Sequence, residues 1–356
     1  MSANKERVYG MQMDERKKRI LLAIIQDYIA TAEPVGSRTI SRKYELGVSP
    51  ATVRNEMSDL EELGFIEQPH TSAGRIPSDQ GYRYYVDCLM EKHQLTEDVQ
   101  SFVRSGYEAK KQEIGQVINL TSSLLSQMTN YTSLVMGPQM GGTAIKHVQI
   151  VPLEAGKVLV VVINQSGIVQ NKMLNVSENI TYEDLNDISR ILNAKLQGHS
   201  LEDIKRTLLS EIYFELSKHN EIFNVVMDLM ANQSLLKEEE RVYLGGTLNI
   251  LNQPEFRNIE KVKTLLGLLD HEEDLKNLLT STPKDDGVVI KIGGENKIAG
   301  IQDCSMITAT YHVDDKIVGS IGILGPTRMD YAKVVTVVDF INNNLSEILS
   351  NYFKRL

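Results

Sequence analysis

The sequence predicts an α+β chain in which an N-terminal winged helix-turn-helix and a helical connector precede an antiparallel sheet domain interrupted by a mostly helical insertion. Three observations carry this. Residues 35–64 read as helix, tight turn, helix. Residues 65–77 read as strand, small-residue loop, return strand. From Thr143 onward the apolar period shifts from helical to Val/Ile-rich runs, turns helical after Thr181, and returns to strand character at Gly287.

The first thirteen residues carry little pattern, although Lys5 and Arg7 could reach a neighbouring phosphate. Asp14 is placed to cap a helix whose inward stripe is Ile20, Leu21, Ala23, Ile24 and Tyr28, ending before Pro34. A short helix follows from Val35 to Tyr44, and Gly47 supplies the turn. The next helix has a legible start, because Ser49 can accept a first-turn amide while Pro50 needs no donor there. Val53, Met57, Leu60 and Leu63 recur at helical spacing and form its buried stripe.

On the opposite face stand Asn55 and Ser58, flanked by Thr52 and Arg54. Such side chains hydrogen-bond base edges or phosphates, and they cluster in the first two turns, the part of a recognition helix that reaches bases. Further along, Asp59, Glu61 and Glu62 would repel phosphates, so only the helix N-terminus should enter a groove. The loop 70–75 is small and basic, and Arg75 with His70 would lie over flanking backbone or the minor groove. Candidate DNA contacts are therefore Arg38, Ser49, Thr52, Arg54, Asn55, Ser58, His70 and Arg75. The competing reading is a winged helix used only for protein contacts.

Ser78 starts a helix to Glu91 with Tyr82, Tyr85, Val86 and Leu89 on one face. With Arg83 these aromatics could stack single-stranded nucleic acid, but their helical spacing favours a core or subunit contact. A long helix is expected from Leu95 to about Met128, interrupted at Gly106 and Gly115, joining head to body. Strands are expected at 144–153, 156–164 and 167–174, helices at 181–196, 201–216 and 221–230, then a helix at 258–279. Residues 242–251 are ambiguous between strand and helix. Strands at 287–293, 305–313 and 316–324 and a closing helix at 328–352 complete the chain.

Composition agrees with an ordinary globular protein of 356 residues, 42% hydrophobic and 24% charged, long enough for two or three domains. No apolar run has the length of a membrane span and the N-terminus lacks a signal-peptide core, so a cytoplasmic location is expected. Cys88 and Cys304 are isolated, suggesting neither disulfide nor zinc site. The net charge of −9 opposes phosphate binding overall, yet Arg16 to Arg19, Arg38, Arg42, Lys43, Arg54 and Arg75 concentrate positive charge in the head. The acidic excess lies mostly beyond residue 95.

No catalytic constellation, metal site or cofactor cradle is expected. The seven histidines are scattered, without His-x-x-x-His or Gly-x-Ser-x-Gly. Gly319, Gly322 and Gly325 have the wrong spacing for a dinucleotide loop and point to close backbone packing. The run Gly293 to Asn296 reads as a hairpin turn. Asp303, Arg328 and Asp330 sit near strand ends, where a ligand pocket could open or an ion pair or cap could form.

Several runs are more specific than any of these: ATVRNEMSDLEELG at 51–64, SAGRIPSDQGYRYYVD at 72–87, LGGT at 244–247 with LNQPEF at 251–256, and GPTRMDY at 325–331. In this order they resemble the heat-inducible transcription repressors of the HrcA family, over nearly the whole chain. The resemblance implies a GAF-like sheet domain and an inserted dimerisation element. The expected partition is 1–92 for the head, 93–130 for the linker, 131–182 with 285–356 for the GAF-like domain, and 183–284 for the insert. It further implies a homodimer that represses chaperone operons of the dnaK and groE type at an inverted-repeat CIRCE operator, loses activity on heating, and is kept active by the chaperonin GroEL. The alternative is a metabolite-responsive winged-helix regulator with a ligand in its GAF-like domain.

Overall fold

The computed structural model describes residues 13–354 apart from 71–72, 111–112, 140–143, 155, 166–168, 178–179, 200–210, 212–240, 281–286, 299 and 315. Lys5, Arg7 and the helices expected at 201–216 and 221–230 lie outside the described residues, Glu211 excepted. Mixed helices and antiparallel sheets make the chain α+β. It divides into two units, Met1–Met136 with Val242–Ile348, and Gly137–Arg241 with Leu349–Leu356.

The first unit opens with α1 (Glu15–Thr31), α2 (Ser37–Lys43) and α3 (Pro50–Glu62). Asp14 caps α1 by accepting the Lys17 N–H at 2.8 Å, and that bond holds its carboxyl below the ordinary aspartate range. Ala32 closes α1 in the left-handed region, and Ile20, Leu21, Ala23, Ile24 and Ile25 face inward. Strands β1 (Ile66–Glu67) and β2 (Ile76–Pro77) pair antiparallel. Backbone bonds of 2.8 and 2.9 Å between Val35 and Arg75 tie the base of their loop to the chain before α2.

Next comes α4 (Asp79–Tyr84), capped by Ser78 and continued as one wide turn over Tyr85–Leu89. It stops short of Glu91. Tyr82, Tyr84 and Tyr85 are all buried, so the aromatic run is core rather than a stacking platform. Gly81 is required there, because a Cβ would stand 2.1 Å from the Phe65 carbonyl oxygen.

The single connector helix expected from Leu95 to Met128 is instead two, α5 (Glu97–Glu108) and α6 (Ile114–Thr129). The Tyr107 and Thr121 hydroxyls lie 2.8 Å apart, a separation impossible along one straight helix fourteen residues on, so the chain doubles back. Both residues are buried. Burial of that pair rewards the reversal, and the Glu113 N–H donates to the Lys110 carbonyl at 3.4 Å between the two helices.

The main sheet has the order β7-β3-β10-β9-β8, all antiparallel: β3 (Thr132–Met136), β7 (Val242–Gly245), β8 (Val288–Ile292), β9 (Cys304–Val313) and β10 (Lys316–Pro326). Residues 242–245 thus resolve as strand and Thr247–Asn252 as 3-10 turn. Helix α6 lies on the face of Ser133, whose hydroxyl donates to Ser122 O at 2.6 Å. The closing helix Tyr331–Phe353 begins on that face too, with Tyr331 Oη 2.7 Å from Ser305 Oγ. On the other face, helices Ile259–Asp270 and Glu272–Thr280 pack Leu265, Leu268, Leu275 and Leu279 against Leu134, Met136 and Leu324. With both faces covered, β10 is buried along most of its length. A Cβ at Gly319 or Gly322 would stand 2.4 Å from Tyr311 Oη or 2.6 Å from Met306 Cε, which is the close packing expected of that triplet.

The second unit holds β4 (Ile145–Pro152), β5 (Lys157–Asn164) and β6 (Val169–Asn175) in a sheet of their own, covered by α7 (Tyr182–Leu196). Leu185, Ile188, Leu192 and Leu196 pack onto Val148, Ile150, Val158 and Val160. Asn193 accepts the Val148 N–H at 2.8 Å and donates to its carbonyl at 2.6 Å, while Ser189 Oγ accepts the Ile150 N–H at 3.0 Å. These side chains occupy the free edge of β4, where another strand would have to pair. The grouping therefore differs from the expected partition: strands 145–175 leave the main sheet, and helices 259–280 belong to its core.

Candidate nucleic-acid interface

Helix α3 starts as its sequence dictates. Ser49 Oγ accepts the Thr52 N–H at 3.1 Å and lies 3.0 Å from Thr52 Oγ1, and Pro50 occupies the first turn. The inward phase carries Val53, Met57 and Leu60. Arg54, Asn55 and Ser58 are exposed on the outward phase, and among the described residues none has an internal hydrogen bond or ion pair. Pro50 carries no N–H and the Thr52 N–H is capped, so it is the helix dipole that adds positive potential at the same end.

Helix α2 adds Arg38 and Arg42, four apart, both exposed and without an internal partner among the described residues. His70 is exposed at the loop tip, and Thr71 and Ser72 lie outside the described residues. Ser49, Thr52, Arg54, Asn55 and Ser58 are thus gathered on one helix end, with Arg38 and His70 on separate elements.

Arg75 is placed differently from the sequence expectation. Its Nε and Nη2 donate to Glu61 Oε2 at 2.9 and 2.7 Å, so the guanidinium is engaged along the flank of α3. The basic start of α1 is also engaged. Lys17 Nζ lies 2.8 Å from Glu56 Oε2 and 3.0 Å from Asp59 Oδ2, and Arg16 Nη1 lies 3.4 Å from Glu56 Oε1. Hydrogen bonds to Glu56 and Asp59 raise the Lys17 ammonium above the ordinary lysine value. Lys43 pairs with buried Asp27 at 2.5 Å. Among described residues 13–90, the unengaged cations are Arg19, Arg38, Arg42 and Arg54.

Sequence reasoning passed over Lys17 and Glu56 as a pair. The signal was available, since Glu56 sits beside Met57 on the buried phase, where a carboxylate requires a partner. It also left Arg42 out of the candidate contacts. The residues considered for a ligand pocket are engaged elsewhere. Arg328 donates to Glu255 Oε1 at 2.6 Å and to Ile29 O at 2.6 Å, Asp303 pairs with Lys261 at 2.6 Å, and Asp330 accepts the Lys333 N–H at 3.1 Å.

Residues 115–335 match the family described as HrcA protein C terminal domain. A heat-inducible transcription repressor HrcA of Desulforamulus reducens is 57% identical over 97% of this chain and 99% of its own length. The chain belongs to the HrcA family. The HrcA of Pelotomaculum thermopropionicum is 55% identical over 95% of this chain and 97% of its own length. A solved structure, the crystal structure of a hypothetical protein at 2.2 Å resolution, covers 96% of this chain and 100% of its own at 24% identity and TM-score 0.64, which supports the fold. The HrcA family is one of transcription repressors, not enzymes. No helix among the described residues is long and apolar enough to cross a membrane.

Proposed function

We propose that this chain is a transcriptional repressor that reads double-stranded DNA through the N-terminal half of α3. One observation carries the reading: Arg54, Asn55 and Ser58 share the outward phase of a capped helix and have no internal partner among the described residues. Groups exposed and unpaired at a helix tip are available to base edges and phosphates, which Arg54 and Asn55 can meet bidentately and Ser58 with its hydroxyl. In this reading the hairpin β1–β2 is the wing of a winged helix-turn-helix, Arg38, Arg42 and His70 meet the backbone, Ser49 and Thr52 present the helix end, and Arg75 holds the wing to α3.

The names of the relatives give the regulatory setting, heat-inducible repression. The main sheet domain corresponds to the GAF-like module, and the segment inserted in it corresponds to the dimerisation element. Two heads then read two halves of an inverted repeat, the CIRCE element upstream of dnaK- and groE-type chaperone operons, in a cytoplasmic homodimer. Warming shifts a marginally stable body towards an aggregation-prone form that a chaperonin such as GroEL rescues.

Footprinting on this organism's chaperone promoters, with a salt titration, tests the reading. Protection of an inverted repeat whose affinity falls steeply with salt supports it, and uniform affinity for unrelated duplexes overturns it.

A further inference from the structure

Parts of two of the runs that place the chain in its family, Asp79–Asp87 and Gly325–Tyr331, make no part of the reading face, and they meet at one joint inside the first unit. Asp79 Oδ2 accepts the Gly294 N–H at 2.8 Å. Arg83 donates through Nε to Glu295 Oε1 at 2.8 Å and through Nη2 to Ile290 O at 2.6 Å, with a second bond from Nη2 to Glu295 Oε2. Beside this, Arg328 reaches back to Ile29 O at the end of α1, and the buried rings of Tyr82 and Tyr331 lie 5.7 Å apart. Lys92 and Asp339 add an outer pair at 2.5 Å.

A head on a loose tether needs none of these bonds. Two planar guanidinium forks, each answered by a carboxylate and a backbone carbonyl, fix direction as well as distance. Arg83 also covers a carbonyl of β8, the edge strand of the main sheet, where an exposed backbone would otherwise invite another chain. With the joint closed, α3 keeps Arg54, Asn55 and Ser58 exposed. The closed joint is therefore compatible with DNA contact.

We infer that Asp79, Arg83, Glu295 and Arg328 are positioning residues for the engagement of two half-sites at once, although none of them touches DNA. The inference rests on the paired-head reading above. A head of fixed direction presents the second recognition helix to its half-site at high effective concentration, and a loosened head dilutes it.

The test compares full-length protein with Arg83→Gln, Glu295→Gln and their double variant on three probes at one salt concentration. These are a duplex carrying the footprinted inverted repeat, a duplex carrying one half-site, and repeats whose half-site separation is altered. Half-site affinity is expected to stay within about twofold while affinity for the complete repeat falls about tenfold or more. The preference for the native separation should flatten, and the double variant should be no worse than the poorer single one. Asp79→Asn, which leaves the Arg83 fork in place, should move the same ratio by a smaller factor and serves if the Arg83 variant fails to fold. Equal losses on half-site and repeat, an unchanged repeat affinity, or tighter binding after the joint is cut would each overturn the inference. Wild-type protein that binds neither duplex overturns the DNA reading itself, a result distinguishable from any of these.

Discussion

Arg75 donates twice to Glu61 Oε2, at 2.9 and 2.7 Å, and so fastens the β1–β2 loop to the flank of α3. Both side chains are partly buried, at 22% and 33% exposure. Arg75→Gln is expected to lower stability by about 1 kcal/mol and to leave the salt dependence of operator binding unchanged. Arg54→Ala and Asn55→Ala should show the converse, with stability kept and about 1 to 3 kcal/mol lost on DNA for each base contact. Urea unfolding and a salt titration of binding separate the two patterns. A reduced salt slope in Arg75→Gln would return that residue to the DNA.

Lys17 is the cation on which Glu56 and Asp59 converge, and the Glu56 side chain is 11% exposed. Lys17→Met would leave Glu56 with Arg16 alone, at 3.4 Å. A loss of about 2 kcal/mol is expected, read as a lower urea midpoint, together with weaker operator binding because one of the ties holding α3 to α1 is cut. Unchanged stability would mean that Arg16 suffices.

Burial pushes the phenols of Tyr82, Tyr85 and Tyr331 up, Tyr85 to about 12. Each has a folded value above its unfolded one, near 10.0, so its contribution is intact below that pH and lost as pH rises through the folded value. Lys17 acts in the same direction from 10.5 upward. Stability should therefore decline from about pH 10, and tyrosinate absorbance from this cluster should rise together with unfolding. Ionisation of all tyrosines at the ordinary pH in a protein still folded by circular dichroism would contradict the burial.

Gly81 and Gly47 make a contrast that one pair of variants can read. Gly81→Ala drives a Cβ into the Phe65 carbonyl, whereas Gly47, at φ 68°, has nothing within 4 Å of its missing Cβ. The first substitution is expected to cost about 3 kcal/mol or more, since backbone must move, and the second about 1 kcal/mol of backbone strain. Thermal unfolding ranks them, and a reversed order would reject the packing of α4 on the β1 end.

The residues differ in how plainly they declared these roles. Ser49 with Pro50, Asp14 and the alternation of Val and Ile are local signals, and local signals decide caps and strands. The Gly319-x-x-Gly322 spacing was legible for the same reason. Partnership across the chain was not. Both β4–β6 and β8–β10 are Val/Ile-rich, and what sets the first group apart, its core under α7 and the β4 edge bonded by Asn193 and Ser189, is made by residues far along the chain. The reversal between α5 and α6 depends on Tyr107 meeting Thr121, which no periodicity reveals. At the interface, Arg54 and Arg75 look alike as sequence, and Glu61 alone distinguishes them.

Met136 and Val242 face each other in the register of β3 and β7, so the chain leaves the main sheet and rejoins it at neighbouring rungs. Everything between is topologically a single hairpin loop, however large. Replacing 137–241 with a two-residue Asn-Gly link should consequently spare the remaining sheet, because the ladder it closes is already formed. The sheet thus carries its large segment from one rung, while the closing helix from Leu349 onward groups with that segment rather than with the sheet.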